Sequence, residues 1–507
     1  VNVPLTPLDF VERARRLYAP LEGVIDGDRR LTYAAFAERA ARLAAALGGL
    51  GIGAGARVAY LCGNTLELLE AYYGVVMAGA ILTPLNIRLS PAELQFVLDD
   101  CDAELLVVHP SLASVADELR PRRRLDIGPH YESLLRLAVP ATEWPVVDED
   151  AVCELFYTSG STGQPRGAML THRALATHAV DSALTMGLHH RDVVLHTIPL
   201  FHVNGWGTPH YVTALGGVHV LLERFDPAEV LRLIEAERVT RLFLVPTMGT
   251  ALLTHPDLGR RDVSSLAQIS VGGAPPGPRL LAELEERFGC EVICGYGLTE
   301  ASPQLTKAIT LRSHDALPVE EQRRRRATTG HPNIGVNLRV LDDEDVEVPW
   351  DGVTSGEVCA RSNHVMQGYW NLPDATALAL RGGWLRTGDV ATVDAEGYIT
   401  IVDRKKDLIV SGGENISSVQ VENCLNDHPA VLEAAVVGMA DDKWGEVPRG
   451  FVVARPGAPV PGEAELIEWV RSRLAHFKAP RRIHVVDDLP KGGTGKVQKR
   501  ELRERPL

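Results

Sequence analysis

The spacing of apolar residues changes along this chain, and each change marks a different element. From Ala34 to Leu50 apolar positions recur at helical spacing on an Ala-rich background, which predicts a helix; Arg57–Cys62 (RVAYLC) is a short apolar run and predicts a buried strand. Leu66–Ala78 is helical again, and Glu104–His109 (ELLVVH) is another strand. The rhythm returns with strands at Val193–Thr197, Val218–Leu222 and Arg241–Val245 around a helix at Pro227–Glu237. Strands alternating with helices imply parallel βαβ layers. Past about residue 330 the pattern shortens. Leu338–Leu341, Glu357–Ala360 and Tyr398–Val402 are short strands spaced by Gly, Asp and Pro turns, as in a small β barrel or meander. A charged run, Asp403 to Asp407, precedes a compact α+β unit with helices at Ser418–Asn426 and Glu463–Ala475 and strands at Ala434–Val437 and Phe451–Val453. The expected fold is α/β: a large N-terminal domain over 1–402 with layered sheets plus a small barrel, a connector at 403–408, and a small α+β domain over 409–507.

Composition narrows the function classes. With 507 residues, 45% apolar and 23% charged, the chain can bury several cores without disulfide or metal staples. A net charge of -14 argues against general affinity for nucleic acid or anionic membrane. Locally the sign reverses: residues 471–507 hold eleven Lys/Arg against four Asp/Glu. Seven scattered cysteines read as buried thiols of a reducing compartment. Val1–Pro20 has no apolar core of a signal peptide, and the longest uncharged apolar stretch, Tyr72–Leu85, is too short to span a bilayer. A cytoplasmic protein is expected, with no stable membrane insertion and with a homodimer left open.

Several familiar signatures fall away. Gly51-Ile52-Gly53-Ala54-Gly55-Ala56 spells a dinucleotide fingerprint, but it lies between a helix and a strand, the reverse of the order that brings a phosphate to a helix N-terminus. Cys290 and Cys294 have no second Cys or His pair at metal spacing, and neither HExxH nor GxSxG occurs. The segment Tyr157-Thr158-Ser159-Gly160-Ser161-Thr162-Gly163-Gln164-Pro165-Arg166-Gly167 stands out instead. It follows an apolar strand at Val152–Phe156 and precedes a helix near Thr171. Glycines free of Cβ, several hydroxyls and Arg166 are the chemistry of a polyphosphate cradle, although a solvated Gly/Ser linker has the same composition. It is not a Walker A loop, since Pro165 stands where that motif needs Gly-Lys.

Further motifs follow in order. Gly295-Tyr296-Gly297-Leu298-Thr299-Glu300, directly after a strand at Glu291–Cys294, offers a ring for a base, a hydroxyl for a phosphate and a carboxylate for Mg²⁺. Asp389 in Trp384-Leu385-Arg386-Thr387-Gly388-Asp389 and Asp403-Arg404 offer groups for ribose hydroxyls. Pro490-Lys491-Gly492-Gly493-Thr494-Gly495-Lys496 places a Lys on a Gly-rich loop. Each alone also reads as a turn or as solvated charge.

In this order, over residues 20 to 505, the motifs resemble the adenylate-forming superfamily of acyl-CoA synthetases, peptide-synthetase adenylation domains and luciferases. The segments Pro199-Leu200-Phe201-His202-Val203-Asn204-Gly205-Trp206 and Lys406 to Ser418 look like bacterial medium- and long-chain fatty-acyl-CoA synthetases. Two departures stand in the phosphate loop: Arg166 where the family usually has Lys, a planar fork for a point charge, and Ser161 for Thr.

The resemblance implies that a carboxylic acid attacks the α-phosphorus of Mg-ATP, giving acyl-AMP and pyrophosphate, and that CoA then takes the acyl group. It implies that Thr158, Ser159, Gly160, Ser161, Thr162, Gly163 and Arg166 hold the outer phosphates, Thr299 the α-phosphate and Glu300 the Mg²⁺. Lys496 neutralises the developing charge. Gly273, Ala274, Tyr296 and Gly297 bracket the adenine, with Gly297 also touching the acyl group, while Asp389 and Arg404 grip the ribose. His202 and Trp206 resemble a gate to the acyl tunnel, and both also read as ordinary core residues. Asp403 and Lys406 match a hinge, where a solvated charge cluster is the plainer reading. Ser411, Gly412, Gly413, Trp444, Lys478 and Arg481 resemble CoA contacts; the plainer readings are solvated charge beside a Pro turn and, for Trp444, a surface-helix anchor. The alternatives are an aryl-CoA ligase for cinnamate- or benzoate-like acids, an adenylating enzyme that loads a carrier protein, and a non-catalytic nucleotide-binding relative.

Overall fold

The computed structural model describes residues 2–141, 144–159, 165–274, 276–412, 414–441, 443–491 and 497–505. Its large domain is organised around one helix, Leu66–Met77, buried from Leu66 through Val76. A helix buried on every side needs protein all round it, and here two sheets and the helix Tyr33–Gly49 supply it. Tyr60, Leu82 and Phe156 of one sheet share a continuous core with Val24 and Leu221 of the other. The helix also carries carboxylates into this core, where Glu70 pairs with Arg39 at 2.7 Å and Glu67 with Arg29 at 2.5 Å.

The first sheet has seven strands in the order Gly368–Tyr369, Pro165–Thr171, Val152–Ser159, Ile81–Pro84, Arg57–Leu61, Leu105–Val108, Arg124–Asp126. The second has nine: His331–Pro332, Gln304–Lys307, Glu291–Gly297, Gln268–Val271, Arg241–Leu244, Val193–His196, Val218–Leu221, Glu22–Asp26, Arg29–Thr32. Its interior is parallel, as the alternation of strand and helix predicts, and both margins are antiparallel. The strands foreseen as a small barrel or meander form a four-stranded antiparallel sheet, Asn337–Leu341, Ser355–Arg361, Leu385–Val393, Ile399–Arg404. The C-terminal domain is a five-stranded sheet whose core packs against helices Ser418–Asn426 and Glu463–Arg471.

Two local expectations need correction. Between the Gly-rich segment and its helix the pattern misses a strand: Pro165–Thr171 pairs antiparallel with Val152–Ser159, with Ser159 opposite Pro165. The two strands form a hairpin, and the helix begins where expected, at His172 after its cap Thr171, whose side chain accepts from Ala174 N–H. Second, Gly295-Tyr296-Gly297 does not follow its strand. It is the end of that strand, paired with Gln304–Lys307. As expected, Gly51 and Gly55 form a turn between helix and strand, with φ of 75° and 74°, and the seven cysteines are unpaired, all but Cys290 buried. Among the described residues no helix is long and apolar enough to cross a membrane.

Candidate active site

Where the large domain's strands end, a cavity of about 1600 Å³ opens between it and the C-terminal domain. The described candidates Thr158, Arg166, His202, Trp206, Gly273, Ala274, Tyr296, Gly297, Thr299, Glu300, Asp389, Asp403, Arg404 and Lys406 all line it. Motifs spread over 250 residues of sequence thus converge on one space.

At the end formed by the strand Glu291–Gly297, glycine is obligatory at 297, because a Cβ there would lie 2.0 Å from Pro303 O. That close approach carries the chain round to Thr299, which is buried, and Glu300. Tyr296 Oη donates to Asp389 Oδ2 at 2.6 Å. Burial and the Asp389 charge hold the phenol well above its ordinary range, so it remains a donor. Asp389 lies opposite Arg404 in the antiparallel ladder, which brings Arg404 Nε to 3.5 Å from Oδ1. A ring, a carboxylate and a guanidinium are thereby fixed side by side.

The hairpin supplies the second cluster. Arg166 is paired across from Thr158, and its guanidinium sits 5.7 Å from the centre of the Tyr369 ring. The short strand Gly368–Tyr369 pairs with the hairpin, and Tyr369 Oη donates to Glu300 Oε1 at 2.8 Å. Arg166, Tyr369 and Glu300 form a continuous polar wall. Glu300 presents a hard oxygen suited to Mg²⁺, and no group of three or more His/Cys/Asp/Glu metal ligands occurs among the described residues. Such a site fits a magnesium ion held through one carboxylate and substrate phosphates.

The third cluster is apolar. Trp206 packs edge-on against Phe243, centroids 6.3 Å apart. A Cβ on Gly272 would lie 3.0 Å from the indole. Trp206 reaches this position through an unusual turn: φ is 37°, 43°, 53°, 65° and 86° at Val203, Asn204, Gly205, Trp206 and Gly207. Left-handed backbone is disfavoured for L-residues, most of all for a β-branched one. The turn is tied down by Glu154, a wholly buried carboxylate that accepts from Asn204 Nδ2 at 3.1 Å and from His210 Nε2 at 2.8 Å.

Gly160, Ser161, Thr162, Gly163, Gly413 and Lys496 lie outside the described residues, as does the Ser159 side chain. Lys491 and Val497, on either side of the Lys496 loop, pair as a β-bridge, and both line the cavity. Asp403 is buried and its carboxylate accepts from Ser418 N–H at 2.7 Å, anchoring the helix Ser418–Asn426, while Lys406 is exposed. The described CoA candidates do not join the cavity lining. Ser411 ends the strand Ile409–Ser411 of the C-terminal sheet, and Gly412 in the turn after it, at φ 61°, would place a Cβ 2.7 Å from the Trp444 ring. Trp444 is in a turn between the strands Val431–Asp441 and Gly445–Ala454, which corrects the surface-helix reading. Lys478 Nζ donates to Gln420 Oε1 at 2.7 Å, and Arg481 is exposed, its N–H bonded to Pro448 O. Tyr369, Glu154 and Lys307 are site residues that motif reading passed over.

Residues 11–370 match the family described as AMP-binding enzyme, and residues 420–496 its C-terminal domain. The chain belongs to the adenylate-forming enzymes. Within that superfamily it is an acyl-CoA synthetase, an AMP-forming acid–thiol ligase by class. A feruloyl-CoA synthase from Amycolatopsis sp is 40% identical over 503 residues, covering 97% of each chain. A long-chain-fatty-acid–CoA ligase from Thermus thermophilus is 39% identical over 514 residues, 98% of this chain and 95% of the relative. The crystal structure of the anthranilate CoA ligase AuaEII with anthranoyl-AMP superimposes with a TM-score of 0.91 at 29% identity, covering 99% of this chain and 98% of that one. This adenylate-forming enzyme therefore matches aryl- and alkyl-acid ligases alike over nearly its whole length.

Proposed function

We propose that this acyl-CoA synthetase activates a carboxylic acid with ATP, releasing pyrophosphate, and passes the acyl group from acyl-AMP to CoA. The observation that carries this is the single cavity joining three clusters: Tyr296–Asp389–Arg404, Arg166–Tyr369–Glu300, and Trp206–Phe243. In the first the ring faces adenine and the carboxylate accepts from ribose hydroxyls. In the second, Arg166 and the hairpin N–H groups take the outer phosphates, with Thr299 on the α-phosphate. Magnesium bound through Glu300 would neutralise phosphate charge. Lys496 approaches the reacting carboxylate and α-phosphate from the C-terminal domain, so the chain's contribution is positioning and charge, without a covalent intermediate on the protein.

The two half-reactions need different lids over one site, and rotation about 403–408 with Lys406 as pivot supplies them. That rotation would bring Ser411, Gly412, Trp444, Lys478 and Arg481, none of which lines the present cavity, to the CoA path together with Gly413. The fatty-acid reading and the aryl reading both draw support from relatives, and the aryl reading fits them at least as well. The test is acid-dependent ATP–pyrophosphate exchange followed by thioester formation with free CoA. Acyl transfer only to a phosphopantetheinylated carrier protein would replace the ligase reading with the carrier-loading one.

A further inference from the structure

The acyl wall contains a charge. Lys307 is 3% exposed, yet it lines the cavity together with Ser270, Phe243 and Trp206. The ladder explains why. Lys307 lies opposite Gly295, and Phe243 opposite Ser270, so these side chains share a face of the sheet. Gly295 has no side chain, and the Lys307 stem folds across it: its Cδ would touch a Cβ there at 3.4 Å. The ammonium arrives at Ser270 Oγ, to which it donates at 2.9 Å. An ammonium has three donors, and among the described residues Lys307 makes no ion pair and no other side-chain hydrogen bond. Glu291, on the same strand as Gly295, is engaged by Gln268 Nε2 at 2.7 Å. Burial lowers the Lys307 pKa from its ordinary 10.5 to about 8, so the group is still mostly cationic at neutral pH.

A buried cation without an anion is costly, and a hydrocarbon tail packed on it would seal its remaining donors away from water. We infer that the acid this enzyme activates carries a second oxygen function, a phenolic hydroxyl or a carboxylate, at its end remote from the reacting carboxyl, and that Lys307 with Ser270 binds that oxygen. The inference rests on the ligase reading above and deepens it by naming the substrate class. Ser270 holds the ammonium in place, and the Phe243 and Trp206 rings line the space leading to it.

The experiment compares paired acids in ATP–pyrophosphate exchange: 4-hydroxycinnamate against cinnamate, and octanedioate against octanoate. The wild-type enzyme is expected to favour the oxygen-bearing member of at least one pair by tenfold or more in kcat/KM. The pair that shows the preference identifies phenol or carboxylate as the source of the oxygen. Lys307→Met, which keeps the stem length and removes the charge, should bring that ratio to one or below, mainly through KM. Ser270→Ala should lower it less. Preference for both apolar members, or a ratio unmoved by either variant, would overturn the assignment of Lys307 while leaving the ligase reading intact. Absence of exchange with every acid would overturn the ligase reading and this inference with it.

Discussion

Replacing Glu154 by Leu should open the acyl wall without touching any group proposed to meet ATP. Three non-glycine residues, Val203, Asn204 and Trp206, hold positive φ in the turn that presents Trp206. At about 1–2 kcal/mol each, left-handed backbone costs roughly 3–6 kcal/mol there. Opposing it are the two bonds that Glu154 accepts, from Asn204 and His210. Hydrogen bonds to a charged group contribute about 1.5–3 kcal/mol each, again roughly 3–6 kcal/mol together. The terms nearly balance, so losing the carboxylate is enough to release the turn, and it also strands two buried donors. Glu154→Leu should therefore raise the KM for the acid about ten- to a hundredfold, which corresponds to about 1.4–2.8 kcal/mol. The KM for ATP should change less than threefold, because the strand Val152–Ser159 remains laddered to Pro165–Thr171 and Ile81–Pro84. Glu154→Gln keeps one acceptor and should fall between. Steady-state kinetics with either substrate varied, together with the thermal midpoint, make the comparison. A Leu variant with native melting and an unchanged acid KM would show that Glu154 does not hold the turn before Trp206.

Other consequences are as direct. Asp389→Ala removes the acceptor of Tyr296 Oη and the neighbour of Arg404; the KM for ATP should rise tenfold or more in the exchange assay while the acid KM holds. Trp444→Ala or Arg481→Ala should raise the KM for CoA about tenfold or more and leave exchange unchanged, since neither residue lines the present cavity; loss of exchange would contradict their assignment. Stability should fall below about pH 6.5. Burial holds His196 down to about 3 and His172 to about 4, and also lowers His178, His219 and His364, so the unfolded chain takes up protons that the native state refuses. Asp181 and Glu70, raised to about 6 and about 7 by burial, and Asp9, Glu422 and Asp427, also raised by burial, act in the opposite sense, but with His484 six imidazoles are lowered against these five carboxyls. Each uncompensated proton costs about 1.4 kcal/mol per pH unit, and a urea midpoint that rises on acidification from pH 6.5 to 5 would contradict the sign.

Long periodic elements were legible in the sequence almost to the residue. The helices Pro227–Glu237 and Ser418–Asn426 have the bounds their patterns predict, because apolar spacing and terminal residues agree there. The hairpin strand Pro165–Thr171 was not, since Pro165 and Gly167 at its start read as loop, and only pairing with Val152–Ser159 reveals it. Motif spacing located the nucleotide groups, which travel in Gly-rich clusters. Glu154, Lys307 and Tyr369 come singly from strands, and their partners are 50, 37 and 69 residues away in sequence. The available signal was physical: a Glu inside VCELF and a Lys at the end of QLTK, charges set in strands otherwise destined for burial.

One cavity is proposed to make an acyl-adenylate and then hand it to CoA. The most direct test follows ³²P-pyrophosphate incorporation into ATP with and without a carboxylic acid, then AMP release and acyl-CoA on adding CoA, in the wild-type enzyme and in Lys496→Ala. Acid-dependent exchange, CoA-dependent thioester from the wild type, and a variant that scarcely adenylates yet still converts supplied acyl-AMP to acyl-CoA are expected. Exchange without acid dependence, or a Lys496→Ala variant that adenylates normally, would rule out adenylation assisted by Lys496 in this cavity.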